Sequence, residues 1–142
     1  MEFLNKVIVV TGASSGMGRE ISLQFAKEGA KVIAVARREE RLNEIRDLAK
    51  TEGYKGEIIP YVGDLSKEET NEKIIEFAFD KYNTLDILVN NAGVLDNFAP
   101  VGEVTDECIN KVVAVDMMAP FYSTRKAVNM FMEHNIKGNI IN

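Results

Sequence analysis

The sequence is poor in several things that would each point to a particular chemistry. It has one cysteine among 142 residues, Cys108. That excludes an internal disulfide and a metal site built on a cysteine cluster. It has one histidine, His134, with no partner in reach of its motif, so a helix-end cap or surface position accounts for it better than a catalytic one. It has no apolar run near the length of a membrane span, and its first residues, Met1-Glu2-Phe3-Leu4-Asn5-Lys6, do not form a signal peptide. A reducing, cytoplasmic setting without membrane attachment is therefore expected. Basic charge is also scarce. Seventeen Lys and Arg against 22 Asp and Glu leave a net charge of −5, which gives no electrostatic reason to hold nucleic acid. There is no repeat, linker or low-complexity stretch. The length fits one domain, and the 46% apolar and 27% charged fractions fit a folded one.

What is present is an alternation of short apolar runs and longer amphipathic ones. Val7-Ile8-Val9-Val10 is a β-branched run of the kind found in strands buried on both faces. Met17, Ile21, Phe25 and Ala26 then recur at helical spacing up to Gly29. Val32–Val35 reads as a second strand, and Glu39–Lys50 as a helix with Leu42, Ile45 and Leu48 inward. Ile58–Val62 is a third strand, and Ser66 with Glu69 forms a capping box for a helix reaching about Tyr82. Leu85–Val89 is a fourth strand. Thr105-Asp106 caps a helix with Ile109, Val112 and Val113 inward, disturbed at Pro120 and ending near His134. Asn139-Ile140-Ile141 begins a fifth strand. Such alternation predicts an α/β fold, a Rossmann-type doubly wound parallel sheet truncated near its fifth strand. Sheets of that kind bind ligands beyond the carboxyl ends of their strands, where strand order reverses.

The first of those ends carries Thr11-Gly12-Ala13-Ser14-Ser15-Gly16-Met17-Gly18. Glycine admits positive φ and lets a ligand approach the backbone. The helix start adds unpaired N–H groups and a positive dipole end, and Ser14 and Ser15 add hydroxyl donors, so the turn suits a phosphate. The loop lacks the Gly-Lys-Ser/Thr ending of a Walker A motif, which argues against a nucleoside triphosphatase. Thr11-Gly12-x-x-x-Gly16-x-Gly18, with Asp64-Leu65 after the third strand and Asn90-Asn91-Ala92-Gly93 after the fourth, resembles the signatures of the short-chain dehydrogenase/reductase family. The resemblance runs from about Lys6 to Asn142. It implies a nicotinamide dinucleotide cofactor held by Gly12, Ser14, Ser15, Gly16, Met17, Gly18, Arg37, Arg38, Asp64, Leu65, Asn90, Ala92 and Gly93. For Asp64, Asn90 and Asn91 an ordinary turn role is the competing reading.

No Asp or Glu lies between Gly29 and Arg38, where an acidic residue would hold the ribose hydroxyls of NAD. The second strand ends instead in Ala36-Arg37-Arg38. Arginine matches a 2′-phosphate by bidentate geometry, so NADP(H) is expected in preference to NAD(H). A solvated charge run from Arg37 to Arg41 would also account for these residues.

Asp116 occupies the place of the family's catalytic asparagine, whose main-chain carbonyl holds a water of the proton relay. Pro120 has no N–H to give the carbonyl four residues back, so a bend at Asp116 follows from the sequence itself. A carboxylate only accepts hydrogen bonds, however, whereas an amide also donates. A residue merely tolerated beside that bend is the competing reading of Asp116. The family's serine and its Tyr-x-x-x-Lys pair are absent. Tyr122 and Lys126 have the spacing but lie before the fifth strand, so they are read as a chance pair on one helix. The 142 residues are therefore expected to be one dinucleotide-binding Rossmann domain, the N-terminal part of a longer oxidoreductase and inactive alone. The parent would act on a small-molecule or acyl-carrier-bound carbonyl, in the manner of a 3-oxoacyl-carrier-protein reductase. Its long helix would pair with another subunit's in a homo-oligomer. A dinucleotide-binding module without redox activity, or an inactive fragment, is the alternative.

Overall fold

The computed structural model describes residues 2–142. Five strands form one parallel sheet in the order β3-β2-β1-β4-β5. The strands are β1 (Val7–Thr11), β2 (Lys31–Ala36), β3 (Glu57–Val62), β4 (Ile87–Val89) and β5 (Asn139–Ile141). Strand order reverses between β1 and β4, which lie side by side with Val9 opposite Leu88. The helices are α1 (Gly16–Lys27), α2 (Glu39–Thr51), α3 (Glu68–Tyr82), α4 (Asp106–Val112) and α5 (Ala119–Glu133).

Strand alternation divides the core into two layers. Ile8, Val10, Val32, Ala34 and Ile87 face α1 and α2, where Leu23, Ala26, Leu42 and Ile45 cover them. Val7, Val9, Ile33, Val35 and Leu88 face α3 and α5, against Ile74, Ile75, Ala78 and Phe131. All five residues of β1 are buried, as its continuous apolar run requires. β3 is an outer strand and tolerates Pro60, which has no N–H for a further partner. Positive φ at Gly29 (+92°) and Gly53 (+67°) carries the chain out of α1 and α2.

Four expectations need correction. The capping box does not form: α3 begins at Glu68 with Lys67 at the cap position, and Ser66 bonds Asp64 while Glu69 pairs with Lys73. β4 is shorter than Leu85–Val89, because the Asp86 carboxylate accepts from the Val7 N–H and from Lys6 Nζ, both at 2.9 Å, and holds the entry to the strand. Met17 is 77% exposed rather than inward, since it lies in the first turn of α1 and faces the cleft. Ile109 and Val113 are exposed, and α4 buries none of its residues. The expected disturbance is present, but it precedes the proline. Val113–Met118 is a π-helical segment, and Pro120 sits at the start of α5. His134 ends α5, with its ring against Phe79 and its Nδ1 donating to the Met130 carbonyl at 3.0 Å.

Candidate dinucleotide cleft

A cleft of about 780 Å³ opens at the carboxyl ends of β1 to β4, at the strand-order reversal. Its floor is the turn after β1. Gly12 has φ +68°, and a Cβ there would lie 2.8 Å from the Ala92 Cα. A Cβ on Gly18 would collide with the Gly12 carbonyl and the Asn91 side-chain amide. These two glycines permit helix, turn and neighbouring strand to touch. Gly16 differs: its φ is +54°, and nothing lies within 4 Å of a Cβ built on it. It shapes the turn without filling it. Ser15 caps α1 in extended conformation with no side-chain bond to the helix, and no acidic residue occupies the first turn. The N-terminal end of a twelve-residue helix is thus left with its positive dipole uncompensated by side chains.

The turn is fixed by one hydroxyl. Thr11 Oγ1 accepts from the N–H groups of Asn91 and Ala92, both at 3.1 Å, and donates to the Val89 carbonyl at 3.3 Å. Asn91 Nδ2 returns a bond to the Thr11 carbonyl at 3.0 Å. The stretch after β4 is therefore laced to the turn after β1.

Of the residues expected at the site, Gly12, Ser14, Ser15, Met17, Arg37, Arg38, Asp64, Leu65, Ala92 and Gly93 line the cleft. Gly16 and Gly18 shape the turn from behind. Asn90 lies off the cleft: its amide donates to Thr124 Oγ1 and Asn142 Oδ1 and accepts from Ser123 Oγ, which joins β4 to α5. Asp116 is also outside the lining, and its Oδ1 accepts from the Val94 N–H at 2.7 Å.

Electrostatics in the cleft are mixed. Arg38 donates to Ser14 Oγ at 3.2 Å, which draws the end of β2 onto the glycine turn. Asp64 is held below its ordinary carboxylate value, first by the Ser66 hydroxyl and then by the Ser66 N–H, with Lys67 and Arg37 adding smaller contributions. The ionised carboxylate is therefore favoured on this wall of the cleft, with Arg37 the guanidinium that acts on it.

Several lining residues had escaped the sequence reading: Gly63, Val94, and Glu107, Asn110, Lys111 and Ala114 of the far wall; Asn91, named there only as part of the signature, lines the cleft as well. Glu107, Asn110, Lys111 and Ala114 are spaced i, i+3, i+4, i+7, a single helix face. That face is mostly polar and turns toward the cleft, while the apolar face with Ile109 and Val113 turns outward. Tyr122 and Lys126 lie away from the cleft. Lys126 is paired with Glu76 at 2.8 Å, and Tyr122 lies beside the Arg125 guanidinium.

The sheet order and glycine turn define a Rossmann-type α/β fold. Residues 6–142 match the model of the short-chain dehydrogenase family, and the chain belongs to that family. It is 38% identical over 141 residues to an L-xylulose reductase of Caenorhabditis elegans, covering 99% of this chain and 54% of that protein. It is 34% identical over 134 residues to a 3beta-hydroxysteroid dehydrogenase 2 of Eggerthella lenta, covering 94% of this chain and 51% of that protein. A crystal structure of a metagenomic short-chain oxidoreductase in complex with NADP superposes with a TM-score of 0.92 at 29% identity, over all of this chain and 63% of that one. The chain spans about half the length of the curated relatives it matches. Among the described residues no helix is long and apolar enough to cross a membrane.

Proposed function

We propose that these residues form the cofactor-binding part of an NADP(H)-dependent oxidoreductase acting on a carbonyl or alcohol. The observation that carries this reading is the pair Arg37 and Arg38 at the end of β2. Both line the same cleft as the glycine turn, and no carboxylate occupies the stretch from Gly29 to Arg38. The start of α1, whose cap residue Ser15 makes no side-chain bond to the helix, and the two guanidinium groups together fit a phosphate-rich dinucleotide. In this reading the α1 N–H groups and Ser14 hold the pyrophosphate, Arg37 and Arg38 hold a 2′-phosphate, Asp64 and Leu65 border the adenine, and Ala92 and Gly93 leave room for the ribose.

When bound, the nicotinamide supplies or takes the hydride exchanged with the substrate carbon. The proton-handling tyrosine and lysine are assigned to polypeptide outside these 142 residues, which supports inactivity of the stretch alone. The substrate is proposed to be a small-molecule or acyl-carrier-bound carbonyl. The outward apolar row Ile109, Val113, Met117 and Phe121 supports a homo-oligomer. A cytoplasmic location is proposed from the scarcity of cysteine in the sequence.

The test is titration of the chain with NADPH and NADH. NADPH is expected to bind more tightly by about tenfold or more, and Arg37→Ala to remove most of that margin, as expected for one lost charge-assisted contact. Equal affinities in the wild type, or a margin that survives the substitution, would remove Arg37 from the reading. Carbonyl-dependent oxidation of NADPH by the longer protein separates an enzyme from a module that only binds.

A further inference from the structure

Helix α3 carries Asn71, Ile74, Ile75 and Ala78 at i, i+3, i+4 and i+7, the spacing of one helix face, and all four are buried. Asn71 is the polar member of that row and is 1% exposed. A buried amide is costly unless its groups are bonded. Its Nδ2 donates to the Leu65 carbonyl at 2.9 Å and to the Lys67 carbonyl at 3.0 Å. The Lys67 carbonyl also accepts from the Thr70 N–H, whereas among the described residues the Leu65 carbonyl accepts from no backbone N–H. Leu65 belongs to the turn after β3 that brings Asp64, Leu65 and Ser66 to the cleft wall. The other bonds within this turn are local: Ser66 donates to the Asp64 carboxylate, and the Lys67 N–H donates to the Asp64 carbonyl at 3.2 Å. Asn71 does not line the cleft itself, but it borders a small void with Thr11, Leu65 and Ala92, beneath the place where wall and floor of the cleft meet.

We propose that Asn71 is a positioning residue: from the buried face of α3 its amide holds the Asp64–Leu65 turn in place as the wall for the adenine end of the dinucleotide. The position requires two donors on one atom, one for each carbonyl, and an amide nitrogen supplies them. An apolar side chain would suit the row of Ile74, Ile75 and Ala78 better, but it would leave the Leu65 carbonyl buried without a partner. The packing of α3 therefore does not call for this residue, and the turn does. The effect on nucleotide affinity rests on the functional reading above, whereas the effect on the turn does not.

The test is amide hydrogen exchange on the full chain, with affinities for three probes: NADPH, adenosine 2′,5′-bisphosphate and inorganic pyrophosphate. Asn71→Leu, of similar bulk and without a donor, is expected to speed exchange at Ser66 and Lys67 by about tenfold, while Val9 and Ile33 in the sheet keep their wild-type rates. NADPH and the bisphosphate are expected to bind about tenfold more weakly, the size of one buried carbonyl left unpaired. Pyrophosphate, which needs the glycine turn and no adenine wall, is expected to stay within about twofold of wild type. Should the leucine variant fail to fold, Asn71→Ala, smaller and also without a donor, takes its place with the same expectations. Wild-type exchange at Ser66 and Lys67 overturns the proposal. So does faster exchange spread equally over β1 and β2, or pyrophosphate binding weakened as much as that of the bisphosphate, because either marks a general loss of stability. If the wild type binds neither NADPH nor the bisphosphate while the exchange contrast holds, the functional reading is overturned and the hold on the turn is supported.

Discussion

Strands β1 and β2 and strand β5 are built from the same residue types and end in opposite surroundings. Ile8 and Ile33 are fully buried, each under helices on its own face of the sheet. Ile140 packs against the α3–α5 layer, but Ile141, one residue on and facing the other way, is 48% exposed. Helices α1 and α2 cover that second face only as far as β4. The same contrast separates α2, with Leu42 and Ile45 fully buried, from α4, which buries nothing. An apolar pattern states which face is to be covered, and the covering element is a separate matter. In the first half it is supplied from nearby in sequence.

The glycine turn is where the two halves meet, and a change there should disturb both. Gly18→Val would drive a branched side chain into the Gly12 carbonyl and the Asn91 amide. Loss of stability of about 4 kcal/mol or more is expected in thermal or urea unfolding, in the range of severe core disruptions. A variant that unfolds like wild type would show that the turn can give way. The next effect measures the contrast directly. Ile8→Ala should cost about 2–5 kcal/mol, and Ile141→Ala no more than about 0.5 kcal/mol, because one leaves a cavity and the other leaves water. Equal costs in denaturant unfolding would erase the distinction between covered and uncovered strands.

The smallest effect sharpens the picture within the cleft. Ser66→Ala removes the main donor to Asp64, so the Asp64 carboxyl should rise toward its ordinary value near 3.8, as followed by NMR titration. The sign follows from the depressed folded value. The contribution of Asp64 to stability is present above the unfolded value and fades as pH falls through the lower folded one. Ser66→Ala should therefore shrink the stability difference between pH 6 and pH 3 slightly, because the group lies at the wall of an open cleft where solvent screens it.

Much of this architecture was legible because strands buried on both faces write continuous apolar runs, as Val7–Val10 and Val32–Val35 do. The misses have local causes. Ser66 and Glu69 have capping-box spacing, yet Asp64, two residues before Ser66, offers the serine a charged acceptor and wins it. In α4 and the segment after it apolarity pointed to Ile109 and Val113 as the inward face, whereas the face that turns to the cleft carries Glu107, Asn110 and Lys111. Asn90 and Asn91 are identical in composition, and parity separates them. Asn91 continues the alternation of Ile87 and Val89, whereas Asn90 falls in step with Leu88 toward α5. That alternation was available in the sequence. The bond from Val94 to Asp116 was not, since it depends on the turn of a π-helical segment.

The hydroxyl of Thr11 has a consequence of another kind. Its bonds to Asn91 and Ala92 join residues 80 and 81 positions apart. Closing a flexible loop of that length costs about 4 kcal/mol of chain entropy by the logarithmic rule, before any constant. Two neutral hydrogen bonds contribute less than that, so the closure is sustained by the pairing of β1 with β4 behind them. A ligand seated between the glycine turn and the stretch after β4 grips both ends of this loop. It acts as a reversible cross-link, and its free concentration sets how tightly the two halves of the sheet are stitched.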